Sequence, residues 1–193
     1  MANGAAADVF ASADLGNMQK ANKAGLTSTS QVFAQNKLVV IVPANNPANI
    51  STLKDLAKPG IKIDLAAPSV PAGEYALQVL DKMAQSTDYT PAYKAAVLQN
   101  VVSQEDNVEA VVQKVQLGEV DAGFVYLTDA ASTSQQVTKI TIPDVFNVLA
   151  QYPIAVTKHT AYPSEAQDFV QYILSTDGQA TLTSYGFLGT KGK

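Results

Sequence analysis

Three short segments of this chain carry residue types that could meet a ligand. The first is SVPAG at 69–73, which leads into a helix. Gly73 lets backbone approach a ligand closely, and the free amides at a helix start attract negative charge. The second is QEDNV at 104–108. Asp106 or Asn107 caps a valine-rich helix there, and the amides of Asn107, Val108 and Glu109 find no partner inside the helix. The third is FVY at 124–126, where Tyr126 ends a buried strand and can place its hydroxyl in a cleft. Taken singly, each also reads as plain structure: an ordinary turn, a simple cap, a core aromatic with a satisfied hydroxyl. Position is what groups them. All three lie at strand-to-helix junctions, where α/β proteins bind their ligands.

Other chemistries are scarce. There is no cysteine, so there is no disulfide, thiolate metal site or Cys nucleophile. The one histidine, His159, follows Lys158 in a polar turn and cannot form a multi-histidine metal site alone. Ser12 in FASAD lacks a nucleophile elbow and a base. Asp64, Asp121 and Asp129 show no paired-carboxylate spacing, so no enzyme is expected. All 13 basic residues are lysine, against 17 acidic residues, for a net charge of −4. That excludes a basic nucleic-acid face and any bidentate arginine clamp. Charged residues are 16% of the chain and hydrophobic ones 47%, enough for a real core. No apolar run approaches the ~18 residues of a membrane span. MANGAAADVF has neither the basic nor the long apolar region of a signal peptide.

The elements that must position these segments alternate between strand and helix, the α/β pattern. Strands are expected at 8–11, at KLVVIVP (37–43), at KIDLA (62–66), at AGFVY (122–126), at 139–142 and at 148–156, with a remnant at Val101 and Val102. Helices are expected from Asp14 to about Ala24, from Ser51 through Ala57, over 74–85, after Pro91, after Asn107, over 128–132, from Ser164 to about Leu174 and from Asp177 to Tyr185. Residues 68–73 read as loop, Pro91, Pro153 and Pro163 as turn punctuation, and 189–193 as a frayed tail.

The run of motifs resembles the substrate-binding proteins of molybdate/tungstate ABC importers. The segments are GAAADVFASAD (4–14), KLVVIVP, STLKDLAKPG (51–60), SVPAGEYA (69–76), NVEAVVQKVQLGEVDAGFVYLTDA (107–130), QYPIAV (151–156) and GQATLTSYGF (178–187). The match runs from Asn3 to Phe187. The resemblance implies a type II periplasmic-binding-protein fold: two α/β lobes joined by two crossing strands, here KLVVIVP and 149–156. Lobe one would hold 1–40 and 154–193, and lobe two 41–153. It also implies that backbone amides at Ala72 and Val108 and the Tyr126 hydroxyl grip the oxyanion, supported by Pro71, Gly73 and Asn107. No cofactor and no direct metal ligand are implied, since the metal is held through its oxygens. Val125 and the acid-free SVPAG loop stand where a six-coordinate branch carries carboxylates, so four-coordinate binding is expected.

The implied partners are molybdate or tungstate and a membrane permease, in a periplasmic or membrane-anchored extracellular protein. The implied action is a clamp that closes about the crossing strands. The family's first βαβ segment, with its serine loops, has no counterpart before residue 4, so lobe one is expected to be truncated. An exposed strand edge at 8–11 then favours a dimer or a poorly ordered lobe. The alternatives are the same fold with sulfate, thiosulfate or a small organic anion, and a ligand-sensing regulatory domain.

Overall fold

The computed structural model describes residues 6–190. Along them run β1 (Val9–Ala11), α1 (Leu15–Lys23), β2 (Gln31–Asn36), β3 (Leu38–Pro43), a 3-10 turn (Leu53–Ala57), β4 (Ile63–Ala66), α2 (Pro71–Ala84), α3 (Pro91–Gln99), β5 (Val101–Glu105), α4 (Val108–Gln116), β6 (Ala122–Tyr126), α5 (Leu127–Ser132), β7 (Val137–Thr141), β8 (Ala150–Val156), α6 (Pro163–Leu174) and α7 (Thr176–Ser184). They sort into two α/β units. One takes the chain up to Asn36 and again from Ala150; the other is Lys37–Leu149. The chain therefore changes unit between Asn36 and Lys37 and between Leu149 and Ala150. Positions 40 and 153, where the sequence suggested boundaries, fall inside β3 and β8.

In the discontinuous unit, β8 is the middle of a three-stranded antiparallel sheet in the order β1-β8-β2. Val9, Phe10 and Ala11 pair with Val156, Ala155 and Ile154. Gln31–Asn36 pairs along the other edge of β8. Among the described residues β1 pairs with β8 alone. Pro153 is therefore not in a turn but in a central strand, a place that proline seldom takes because it donates no ladder bond. The sheet accommodates it with a register break between Val32 and Ala34, next to the Val32–Pro153 pair. The Pro153 carbonyl still accepts from the Ser12 amide at 2.9 Å. Phe187 packs edge-on against Tyr152, with ring centres 5.8 Å apart. Of the expected frayed tail, residues 191–193 lie outside the described residues, whereas the Thr190 amide donates to Gln179 at 3.2 Å.

The continuous unit holds a five-stranded sheet in the order β5-β4-β6-β3-β7. β4 runs parallel to β5 and β6, and β3 runs antiparallel to β6 and β7. All six residues of β3 are buried, as an apolar run without alternation requires of a central strand. The large hydrophobic cluster lies wholly in this unit, from Leu38 to Phe146.

Several boundaries differ from expectation for local reasons. β2 was missed because QVFAQN is polar at half its positions. β5 is a full strand. Residues 71–73 are not loop: Pro71 occupies the first helical position of α2, where its missing N–H costs nothing. Thr52 rather than Ser51 precedes the 3-10 turn, and Asp55 Oδ2 accepts from the Ser51 amide at 2.9 Å and the Thr52 amide at 2.8 Å. Ser175 rather than Asp177 caps α7.

Candidate functional site

Parallel β4, β5 and β6 place their carboxyl ends, Ala66, Glu105 and Tyr126, along one edge of the sheet. Each leads into a helix: β6 directly, β5 after two residues and β4 after four. Past Ala66 the Ala67 amide donates to the Glu105 carbonyl at 2.8 Å, tying the first junction to the second. Val70 then donates to Ala67 at 2.8 Å, and the Glu74 amide closes the first turn of α2 on the Val70 carbonyl at 3.0 Å. Pro71 has no N–H, and no side chain caps this end. The Ala72 and Gly73 amides are therefore the donors at the start of α2 that helix geometry leaves over. Both residues are buried. A Cβ on Gly73 would sit 2.2 Å from the Ala66 carbonyl oxygen and 2.3 Å from that of Ala67. Only glycine lets this helix start press so tightly onto the end of its strand.

At the second junction Asn107, not Asp106, is the N-cap of α4. Its Oδ1 accepts from the Ala110 amide at 3.0 Å. One side chain satisfies one amide, so those of Val108 and Glu109 remain outside the helix ladder. At the third junction Tyr126 is half-buried at the end of β6 and pairs with Leu38 of β3. Its amide donates to Asp129 Oδ2 at 3.0 Å, and the next amide, Leu127, donates to the Lys37 carbonyl at 2.9 Å. Burial pushes the Asp129 carboxyl up, the Tyr126 amide pulls it down, and the charge of Glu109 adds a smaller upward push.

Ala72, Val108 and Tyr126 thus come from three junctions on one edge of one sheet, with Pro71, Gly73 and Asn107 shaping the two helix starts. The arrangement offers backbone amides backed by two helix dipoles, which favour a small anion. Ser12 is buried, and its hydroxyl donates to the Asp14 carbonyl at 2.8 Å. His159 is exposed. Asp121 accepts from the Lys62 amide at 2.8 Å. Among the described residues no three His, Cys, Asp or Glu side chains gather to hold a metal, and no helix is long and apolar enough to cross a membrane.

Asp64, an acid without paired-carboxylate spacing in the sequence, has a setting that spacing does not disclose. It lies in β4 fully buried, and neither carboxyl oxygen has a hydrogen-bond partner among the described residues. The signal was present: an acid inside KIDLA, a strand otherwise apolar after its first residue.

The family model for the bacterial extracellular solute-binding proteins matches residues 1–188. The chain belongs to that family. This solute-binding protein is 36% identical over 188 residues to the molybdate-binding protein ModA of Mycobacterium tuberculosis, covering 97% of this chain and 67% of that one. It is 31% identical over 191 residues to the putative ABC transporter substrate-binding lipoprotein YvgL of Bacillus subtilis, covering 97% and 69%. Among solved structures, the substrate-binding domain of a putative molybdenum ABC transporter from Clostridium difficile superimposes with a TM-score of 0.81 at 27% identity, over 98% of this chain and 80% of that one. The fold is that of the periplasmic binding proteins.

Proposed function

We propose that this solute-binding protein captures a tetrahedral oxyanion, molybdate or tungstate, and hands it to the permease of an ABC importer. The observation that carries the reading is that the helix-start amides left outside the ladders of α2 and α4, together with Tyr126, lie on one sheet edge. Amide dipoles hold a dianion without arginine, of which the chain has none. The assigned donors are the Ala72 and Val108 amides and the Tyr126 hydroxyl. Gly73 and Pro71 set the first helix start and Asn107 the second. Similarity to proteins named for molybdate binding and ABC transport supports the same ligand class and the same delivery route.

Selectivity follows from the rigidity of these donors. Amides fixed by strand ends and helix starts cannot close in on a smaller anion. Sulfate leaves donors stretched, at roughly 1–3 kcal/mol for each buried group left unsatisfied. In this mechanism the anion docks on the donors of the continuous unit, and closure of the protein presents a form that the permease recognises. The open edge of β1 is where a second copy would pair, and light scattering separates monomer from dimer.

Isothermal titration calorimetry with molybdate, tungstate and sulfate tests the reading. Heat from the first two and none from sulfate is expected. Sulfate binding as tight as molybdate would replace the ligand assignment, and no heat from any of them would overturn it.

A further inference from the structure

Asp64 is a buried acid that oxyanion capture, as described so far, does not use. In register with it stand Ser103 on β5 and Gly123 on β6. A Cβ on Gly123 would meet Val111 at 2.6 Å and Val115 at 3.1 Å, so this is the sheet face that α4 covers. The charged groups that act on Asp64 stand around it: Glu105 from β5, Lys114 from α4 and Glu119 from the turn after α4. β6 offers only glycine at this level, and the buried face of α2 is apolar, with Ala76, Val79, Leu80 and Met83. Lys114 is already engaged. Its Nζ donates to Ser103 Oγ at 2.8 Å and pairs with Glu105 Oε1 at 2.5 Å. Burial first, and then the charge of Glu105, push the Asp64 carboxyl up to about 6, with Lys114 and the Leu65 amide pulling the other way.

Two residues beyond Asp64, roughly 7 Å along the strand, β4 ends at Ala66 and the chain turns toward the Ala72 and Gly73 amides. An ionised Asp64 therefore puts a buried negative charge two residues from the strand end that leads to the place assigned to a dianion. Two like charges so placed each disfavour the other. We propose that oxyanion capture by this protein is coupled to proton uptake at Asp64. The proposal rests on the oxyanion reading above. In the step a proton from solvent bonds to one carboxyl oxygen, the aspartate becomes a neutral carboxylic acid, and no other bond changes. The coupling is reciprocal: the bound anion raises the proton affinity of Asp64, and protonation of Asp64 raises anion affinity by the same factor. Affinity is highest when Asp64 is protonated before binding. It falls as pH rises through the carboxyl's range and levels off once Asp64 is ionised in both states.

The test is calorimetry with molybdate between pH 5.5 and pH 8 on the intact chain and on Asp64→Asn. Two buffers of different ionisation enthalpy are used at each pH to count protons. The Asp129 carboxyl beside the site is also raised by burial, and molybdate has its own protonation equilibrium. Both are common to the two proteins, so the difference between the proteins is the readout. A loss of about five- to tenfold in affinity across this range, beyond that of the variant and with extra proton uptake near pH 6.5, is expected from a coupling approaching one pKa unit. Equal pH slopes in the two proteins overturn the proposal while leaving oxyanion binding intact. Absence of molybdate heat at every pH in both proteins overturns the oxyanion reading itself. Carbon-13 NMR titration of the Asp64 carboxyl, with and without molybdate, gives a second readout independent of the variant's folding. An upward shift on binding is expected, and an unchanged midpoint refutes the coupling.

Discussion

Single atoms decide the two sharpest expectations. Val108 is the first residue of α4, where proline is tolerated, and Asn107 before it is extended at φ −156 and ψ 161, the region that a following proline requires. Val108→Pro therefore deletes one N–H donor and exchanges a partly buried valine side chain packed on the core for a proline ring. A hydrogen bond to a charged partner contributes about 1.5–3 kcal/mol, so molybdate affinity should fall roughly ten- to a hundredfold while the melting temperature stays nearly constant. Unchanged affinity would remove Val108 from the site. Asp64 gives the opposite kind of variant. Its folded-state carboxyl sits at about 6 against 3.8 for the ordinary group, so the folded protein holds this proton more tightly than the unfolded chain. The contribution of Asp64 to stability is then fully present below about 4 and is lost as pH rises through 6, by roughly 2–3 kcal/mol for a shift of this size. Asp64→Asn should raise urea resistance at pH 8 by about that amount and change little at pH 4. A variant less stable than the parent at pH 8 would show that the carboxylate is satisfied by a group not seen here.

At the scale of elements, the two helix starts are held in different ways. α4 has a side-chain cap, and Asn107→Ala should cost about 1 kcal/mol in urea melts and weaken molybdate binding several-fold as the first turn frays. α2 has no cap and relies on contact. Gly73→Ala forces a methyl group into two backbone carbonyls that cannot move independently. Loss of more than about 2 kcal/mol is expected, in the range of overpacked cores, and a variant melting at the parental temperature would contradict this packing. Much of this was legible in the sequence. SVPAG, QEDNV and FVY lie at strand-to-helix junctions because apolar runs stop there and polar or glycine residues begin. The start of α2 was misplaced because the chain at 68–73 was read as turn, although Pro71 is a first-turn signal. β2 was not legible, because QVFAQN owes its strand conformation to pairing with a segment more than a hundred residues later. Nothing local in KIDLA says that its acid stays unpaired. That depends on Lys114 being engaged by β5.

For the whole molecule, the uneven distribution of the core sets the order of loosening. The large apolar cluster belongs to Lys37–Leu149. The other unit buries a smaller set, including Met18, Ala34, Ile154, Ala155 and Val170, together with Ser12, Thr27, Asn36 and Thr157. Hydrogen exchange should be slowest in β3, β4 and β6 and faster throughout β1, β2 and β8. Equal protection in the two sheets would contradict this. The strand order has a further consequence during synthesis. β1 and β2 do not pair with each other; each pairs with β8, which lies between them. The ribosome finishes β2 at Asn36 and must add about 120 more residues before Val156 completes their shared partner, roughly 6–24 s at ordinary elongation rates. Throughout that interval β1 and β2 lack the strand with which both pair, while Lys37–Leu149 already holds all five strands of its own sheet. A nascent chain stalled just after Leu149 should therefore lose its first segment to protease and keep the rest.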